Sequence, residues 1–206
     1  MKILDSMAEA FSELLDGLNK VYQDRQADVA RAQAQGNSSA ISEAISKYDT
    51  AILVLKNACL EKVKAIAQEA KAKAVARVTA PLDQETATQL EFLKSRDTIG
   101  KAELDALIER YGRKYQAMAV LAGFADTDDP LNMHGKNLSR GAEFELLCEQ
   151  LNNCISYMEH RIDAADPERS KNSSMGDFQG DIIIRGGHDC FSIADLCLAE
   201  IEQYSL

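Results

Sequence analysis

The side chains of this chain that could do chemistry are its three histidines and five cysteines, because imidazole and thiolate groups are common zinc ligands. Cys148, Cys154 and His160 follow one another at intervals of six residues. On a helix that interval turns successive side chains by about 120°, so the three cannot converge on one ion. Cys190 and Cys197 share a helix face but lie two turns apart, roughly 10 Å, which is too far for one zinc or a disulfide.

One compact cluster remains, His188-Asp189-Cys190, which follows two glycines. A tetrahedral zinc would need further ligands from a second segment, and no other segment carries suitably spaced ones. The chain also lacks both the GxGxxG and the GxxxxGK[ST] pattern of nucleotide-binding loops. We therefore expect no metal and no cofactor, and because no convergent acid–base set is visible we expect no enzymatic activity.

Composition points to a helical protein with an aliphatic core. The 206 residues are 46% hydrophobic but only 6% aromatic, and the chain has no Trp. The formal net charge of −10 repels phosphate, so direct binding to nucleic acid or to an anionic membrane is not expected. The five cysteines are odd in number and lack CxxC spacing, and no segment has the apolar length of a membrane span. We expect a cytoplasmic protein.

The strongest pattern is a pair of helices, about residues 3–33 and 38–80, joined at Gly36-Asn37-Ser38 and closed by Pro81. Apolar residues recur at intervals of three and four in both, as in a coiled-coil seam. A short turn makes the pair an antiparallel hairpin, in which facing residue numbers sum to roughly 74. That register places Lys62 and Lys64 near Glu13 and Glu9.

The second helix carries more apolar surface than one seam uses, since Leu53, Val54 and Leu60 broaden its stripe. This surplus predicts a homo-oligomer. Beyond the overlap with helix one, the helix is basic; that end is either a solvated face or a docking patch for an acidic partner or nucleic acid. The candidate interface residues on this helix are Ile52, Leu53, Leu55, Leu60, Lys71, Lys73 and Arg77.

The pattern of residues 82–165 predicts a smaller helical bundle. Asp83 is placed to cap one helix, and Gly100 is placed to cap a second that continues to about Phe124 with a break at Gly112. A third helix covers about residues 140–163. The fold class is therefore mainly α, with three parts: a long hairpin over 1–81, this bundle, and a C-terminal segment over 166–206.

The C-terminal segment differs from the rest because a polar linker leads to a β-branched run and then to a helix opening near Ser192. A lone strand is not stable in water, so it needs a sheet edge elsewhere, its copy in a second subunit, or packing on the bundle. We expect residues 178–206 to be a detachable docking segment. Its candidate interface residues are Ile182, Ile183, Ile184, Leu196 and Ile201.

A local pattern in the bundle resembles a family. The stretch LEFLKSRDT at Leu90–Thr98, ELDAL at Glu103–Leu107 and YGRKYQA at Tyr111–Ala117 resemble a helical hairpin of uncharacterised bacteriophage and prophage proteins found in head-assembly modules. The resemblance implies a non-enzymatic structural or assembly role, carried by helical self-association and by docking to protein partners.

A second function class stays open. The acidic charge could mimic nucleic acid, so that the protein acts as a regulatory inhibitor of the phage anti-defence type in a basic cleft of a host protein. An assembly protein forms concentration-dependent oligomers through apolar seams. An inhibitor of this kind forms a stable small species whose binding to a basic target weakens with salt.

Overall fold

The computed structural model describes residues 2–124, 142–166 and 188–204. Over these residues it is mainly helical, which confirms the mainly α class and not the C-terminal strand. No strand occurs among them, and the run Ile182–Ile184 that we expected to form one lies outside the described residues. The helices are α1 (Ile3–Ala34), α2 (Ser38–Val78), α3 (Gln84–Lys94), α4 (Lys101–Tyr111), α5 (Tyr115–Leu121) with a 3-10 turn (Ala122–Phe124), α6 (Ala142–Ala164) and α7 (His188–Glu202).

The turn between α1 and α2 forms where the sequence predicts it. Gly36 has φ +66°, a left-handed conformation that a residue without Cβ adopts at no steric cost. The Asn37 side chain then caps α2 by accepting a hydrogen bond from the Ala40 N–H at 3.0 Å. α2 ends at Val78, two residues before the predicted limit, and Pro81 disfavours the helical conformation of Ala80, the residue just before it.

Contacts between α1 and α2 confirm the antiparallel register. The Cys59 thiol donates to the Ala10 carbonyl at 3.4 Å, and the Lys62 ammonium pairs with Glu13. The predicted partner of Lys64 is wrong, since Lys64 pairs at 3.0 Å with Glu61 of its own helix. Two helical positions turn a side chain by about 200°, so Lys64 points away from α1 when Lys62 points toward it.

The chain divides into two compact units, one from Met1–Gln68 and Leu151–Ser192, the other from Glu69–Gln150 and Ile193–Leu206. The boundaries at 81 and 165 that the sequence suggests stay predictions. Proline and polar stretches mark where helices end, whereas compact units depend on which side chains pack together. A single long helix can supply residues to two such units.

The first unit is built around the apolar side of α1. Met7 and Leu18 are fully buried there, and the Phe11 ring lies under the Arg161 guanidinium of α6, 5.9 Å from the ring centroid. Tyr157 of α6 meets Phe191 edge to face at 5.8 Å. Aromatic and aliphatic side chains of three helices thus share one core.

The second unit has a core of Leu90, Leu93, Tyr111, Ala117, Met118, Leu121 and Ala122. The break at Gly112 that the sequence suggested separates α4 from α5, and a Cβ added there would lie 2.6 Å from the Ile108 carbonyl oxygen. Asp83 and Gly100 occupy the predicted N-cap positions. Capping residues and glycines therefore set the helix ends of this unit as expected.

The C-terminal helix is more extensive than predicted. α7 begins at His188, four residues before Ser192, and it buries Phe191, Ala194, Cys197, Leu198 and Ile201 at 5% exposure or less. An amphipathic helix that buries five side chains is part of the core. This burial argues against a detachable docking segment, because removing α7 would expose those apolar contacts.

Candidate interaction surface

The most prominent exposed surface of the first unit is one side of α2. Tyr48, Leu55 and Cys59 face inward, and the side chains about half a turn away point to solvent. Leu53 and Val54 lie there with 59% and 60% of their surface exposed. Two large apolar side chains exposed next to each other make this side of α2 a candidate contact surface. We call the exposed residues Glu43, Lys47, Thr50, Leu53, Val54, Asn57 and Glu61 the α2 strip.

The other apolar interface candidates of α2 are partly covered by the chain itself. Leu55 packs on α1 at Gly17, where an added Cβ would lie 3.2 Å from both Leu55 methyl carbons. Ile52 and Leu60 are half-buried. Of the four apolar interface candidates on this helix, Leu55 therefore belongs to the seam within the chain and Leu53 to the exposed strip.

A polar contact joins the two helices in the half of the hairpin that lies toward the turn. The Tyr48 hydroxyl donates to the Asp28 carboxylate at 2.6 Å, and the Lys47 ammonium lies 3.9 Å from the same carboxylate. The hydrogen bond raises the pKa of Tyr48 to about 12 and lowers the pKa of Asp28. This contact links α1 and α2 at a fixed register, so the strip is presented on a defined helix pair.

The basic end of α2 offers less free charge than the sequence indicates. Lys73 pairs with Glu69 at 2.8 Å, and this hydrogen bond raises the pKa of Lys73. The Arg77 guanidinium donates to the Tyr204 carbonyl at 2.7 Å. Lys71 is exposed. Two of the three candidates are thus engaged within their own unit, which weakens the case for a basic docking patch here.

The remaining candidates lie in α7 or outside the described residues. Leu196 is 63% exposed, whereas Ile201 is fully buried and cannot take part in a surface contact of the folded chain. Ile182, Ile183 and Ile184 are not among the described residues.

Sequence reasoning missed Phe92 of α3, which is 67% exposed. Its position gives the signal: Leu90 and Leu93 share the buried side of α3, and Phe92 is turned about 130° from their midline.

The described residues show no group of three His, Cys, Asp or Glu side chains that could hold a metal ion. The side chains of His188 and Asp189 are outside that description. Cys59 is buried, and burial raises the pKa of its thiol to about 11, so it is a poor nucleophile. In the part of the chain that the structure describes, no helix has the length and apolar content to cross a membrane.

Comparison of the chain with known protein families, curated proteins and solved structures finds no significant match.

Proposed function

We propose that this protein is a non-enzymatic structural or assembly protein of the bacteriophage type, which acts in the host cytoplasm or the virion through helical self-association and docking of protein partners. The observation that carries the proposal is the α2 strip. It lies on a two-helix arm and exposes two adjacent large apolar side chains, Leu53 and Val54. Burying about half of each on association is favourable by roughly 1 kcal/mol per side chain.

The long hairpin suits this role because it separates two surfaces of one helix. One side of α2 contacts α1 through Tyr48, Leu55 and Cys59. On the opposite side, Leu53 and Val54 are 59% and 60% exposed among the described residues. Self-association through the exposed side does not require the arm to open. The acidic net charge of −10 keeps such a protein soluble until specific apolar contacts form.

Light scattering across a wide concentration range tests the proposal. We expect oligomers whose mass rises with concentration, and we expect the double variant Leu53→Asp/Val54→Asp to be monomeric with unchanged helical circular dichroism. The matched control is Leu55→Asp, which places a charge against Gly17 inside the chain and should lower helicity. A native chain that stays monomeric at all concentrations contradicts the proposal, and salt-sensitive binding of that monomer to a basic protein would favour the inhibitor instead.

A further inference from the structure

Three residues of the α2 strip form a line along the helix. Lys47, Val54 and Glu61 are spaced by seven, so they lie on the same side of α2 at successive intervals of about 10 Å. All three are exposed: the side chains of Lys47 and Glu61 have 68% and 72% of their surface accessible, and Val54 has 60%. The line therefore reads positive, apolar, negative, with the apolar residue at its centre.

This order of charges is complementary to itself in one orientation. When a second copy of α2 runs antiparallel about a two-fold axis at Val54, Lys47 of each chain comes level with Glu61 of the other, and the two Val54 side chains meet. In a parallel pair the same residues would bring lysine level with lysine and glutamate level with glutamate. Like charges placed opposite each other destabilise a contact, so the pattern selects the antiparallel arrangement.

The neighbours of the line fit the same symmetry. Thr50 lies four residues before Val54 and Asn57 lies three residues after it, and both are exposed. They are therefore at nearly equal distances from the axis along the helix. Glu43 and Lys64 lie at almost equal distances on either side, so the axis also brings Glu43 level with Lys64 of the second copy. Four cross-chain ion pairs then surround a centre made by Leu53 and Val54 of both chains.

The intrachain contacts of these charges do not oppose the pairing. Lys47 lies 3.9 Å from Asp28, and Glu61 pairs with Lys64 at 3.0 Å, both at the exposed surface. Ion pairs at the exposed surface contribute little to stability, so either can be exchanged for a cross-chain partner at small cost.

We infer that the partner of the α2 strip is a second copy of this chain, which binds antiparallel through its own α2 about an axis at Val54. The inference rests on the self-association proposed above and specifies its geometry. It assigns Lys47 and Glu61 the role of setting orientation, with Leu53 and Val54 supplying the apolar contact.

Charge exchange tests the inference. Lys47→Glu and Glu61→Lys should each weaken dimerisation by about tenfold or more, because two symmetry-related attractions become repulsions. The double variant Lys47→Glu/Glu61→Lys should restore the native affinity, although it lacks both original intrachain contacts. Lys20→Glu and Asp16→Lys are the controls, since they change the net charge equally at exposed positions of α1 and should leave dimerisation unchanged. Sedimentation velocity at low and high salt measures the affinities.

Cross-linking tests the axis independently. Val54→Cys should give a disulfide-linked dimer under mild oxidation, whereas Glu43→Cys should not. For each residue by which a position lies away from the axis, its two copies are about 3 Å further apart along the helix, so the two thiols of the second variant would be too far apart to bond. The native chain under the same oxidant is the control for its own cysteines. If the protein dimerises but the double charge exchange does not recover affinity and the Val54→Cys variant does not cross-link, this geometry is wrong and self-association stands. If no oligomer forms at any concentration, both proposals fail.

Discussion

The burial of α7 gives a prediction that separates a core helix from a docking helix. Ile201 is fully buried, and Leu196 on the same helix is 63% exposed. Replacing Ile201 with Ala removes buried methyl and methylene groups and leaves a cavity, which costs about 2–5 kcal/mol in well-packed cores. Replacing Leu196 with Ala removes mostly solvated surface and should change stability by no more than about 0.5 kcal/mol.

Urea unfolding followed by far-ultraviolet circular dichroism measures the difference, since the chain has no Trp to report by fluorescence. With a denaturant slope of about 2 kcal/mol/M, a loss of about 3 kcal/mol lowers the midpoint by roughly 1.5 M for Ile201→Ala. Leu196→Ala, the matched control, should shift it by about 0.25 M or less. Equal midpoints for Ile201→Ala and the native chain would refute the assignment of α7 to the core and would revive the idea of a detachable C-terminal segment.

In a spectrophotometric titration Tyr48 should ionise near pH 12, and Tyr48→Phe should abolish that step. Because the folded pKa is raised, the stabilisation from this hydrogen bond is present below about pH 10 and is lost as the pH rises toward 12; an unchanged titration in the variant would contradict the assignment. Gly17→Leu should lower the free energy of unfolding by about 1–3 kcal/mol, because the new side chain overpacks against Leu55. In a double-mutant cycle, Leu55→Ala should restore part of that stability, whereas strictly additive effects would show that the two positions do not contact each other. Hydrogen bonds from Lys114 and from Thr86 hold the pKa of Asp83 well below its usual value. The stabilisation from these contacts is therefore present above about pH 4 and is lost as the pH falls through the depressed pKa. The urea midpoint of Asp83→Asn should fall less steeply with acid pH than that of the native chain, and an identical slope would contradict the contact.

The local features of the fold could be predicted from the sequence because they depend on neighbouring residues. Gly36 and Asn37 mark the turn, Asp83 and Gly100 mark helix starts, and Gly112 marks a break, since each acts through its own backbone preference or a hydrogen bond within one turn. The hairpin register followed from the turn position alone, which is why the contact of Lys62 with Glu13 was predictable.

The direction in which each apolar side chain packs was decided only by the tertiary structure. Leu53 and Leu55 are equally hydrophobic and two positions apart, yet one is exposed and the other lies against Gly17, because the neighbouring helices determine which sides of α2 are covered. Likewise, the apolar pattern of α7 could fit either a core helix or a docking helix, and the burial of Phe191 and Ile201 identifies it as core. Periodicity gives the angle of a side chain around its helix, but only the packed chain decides which angles face protein and which face water.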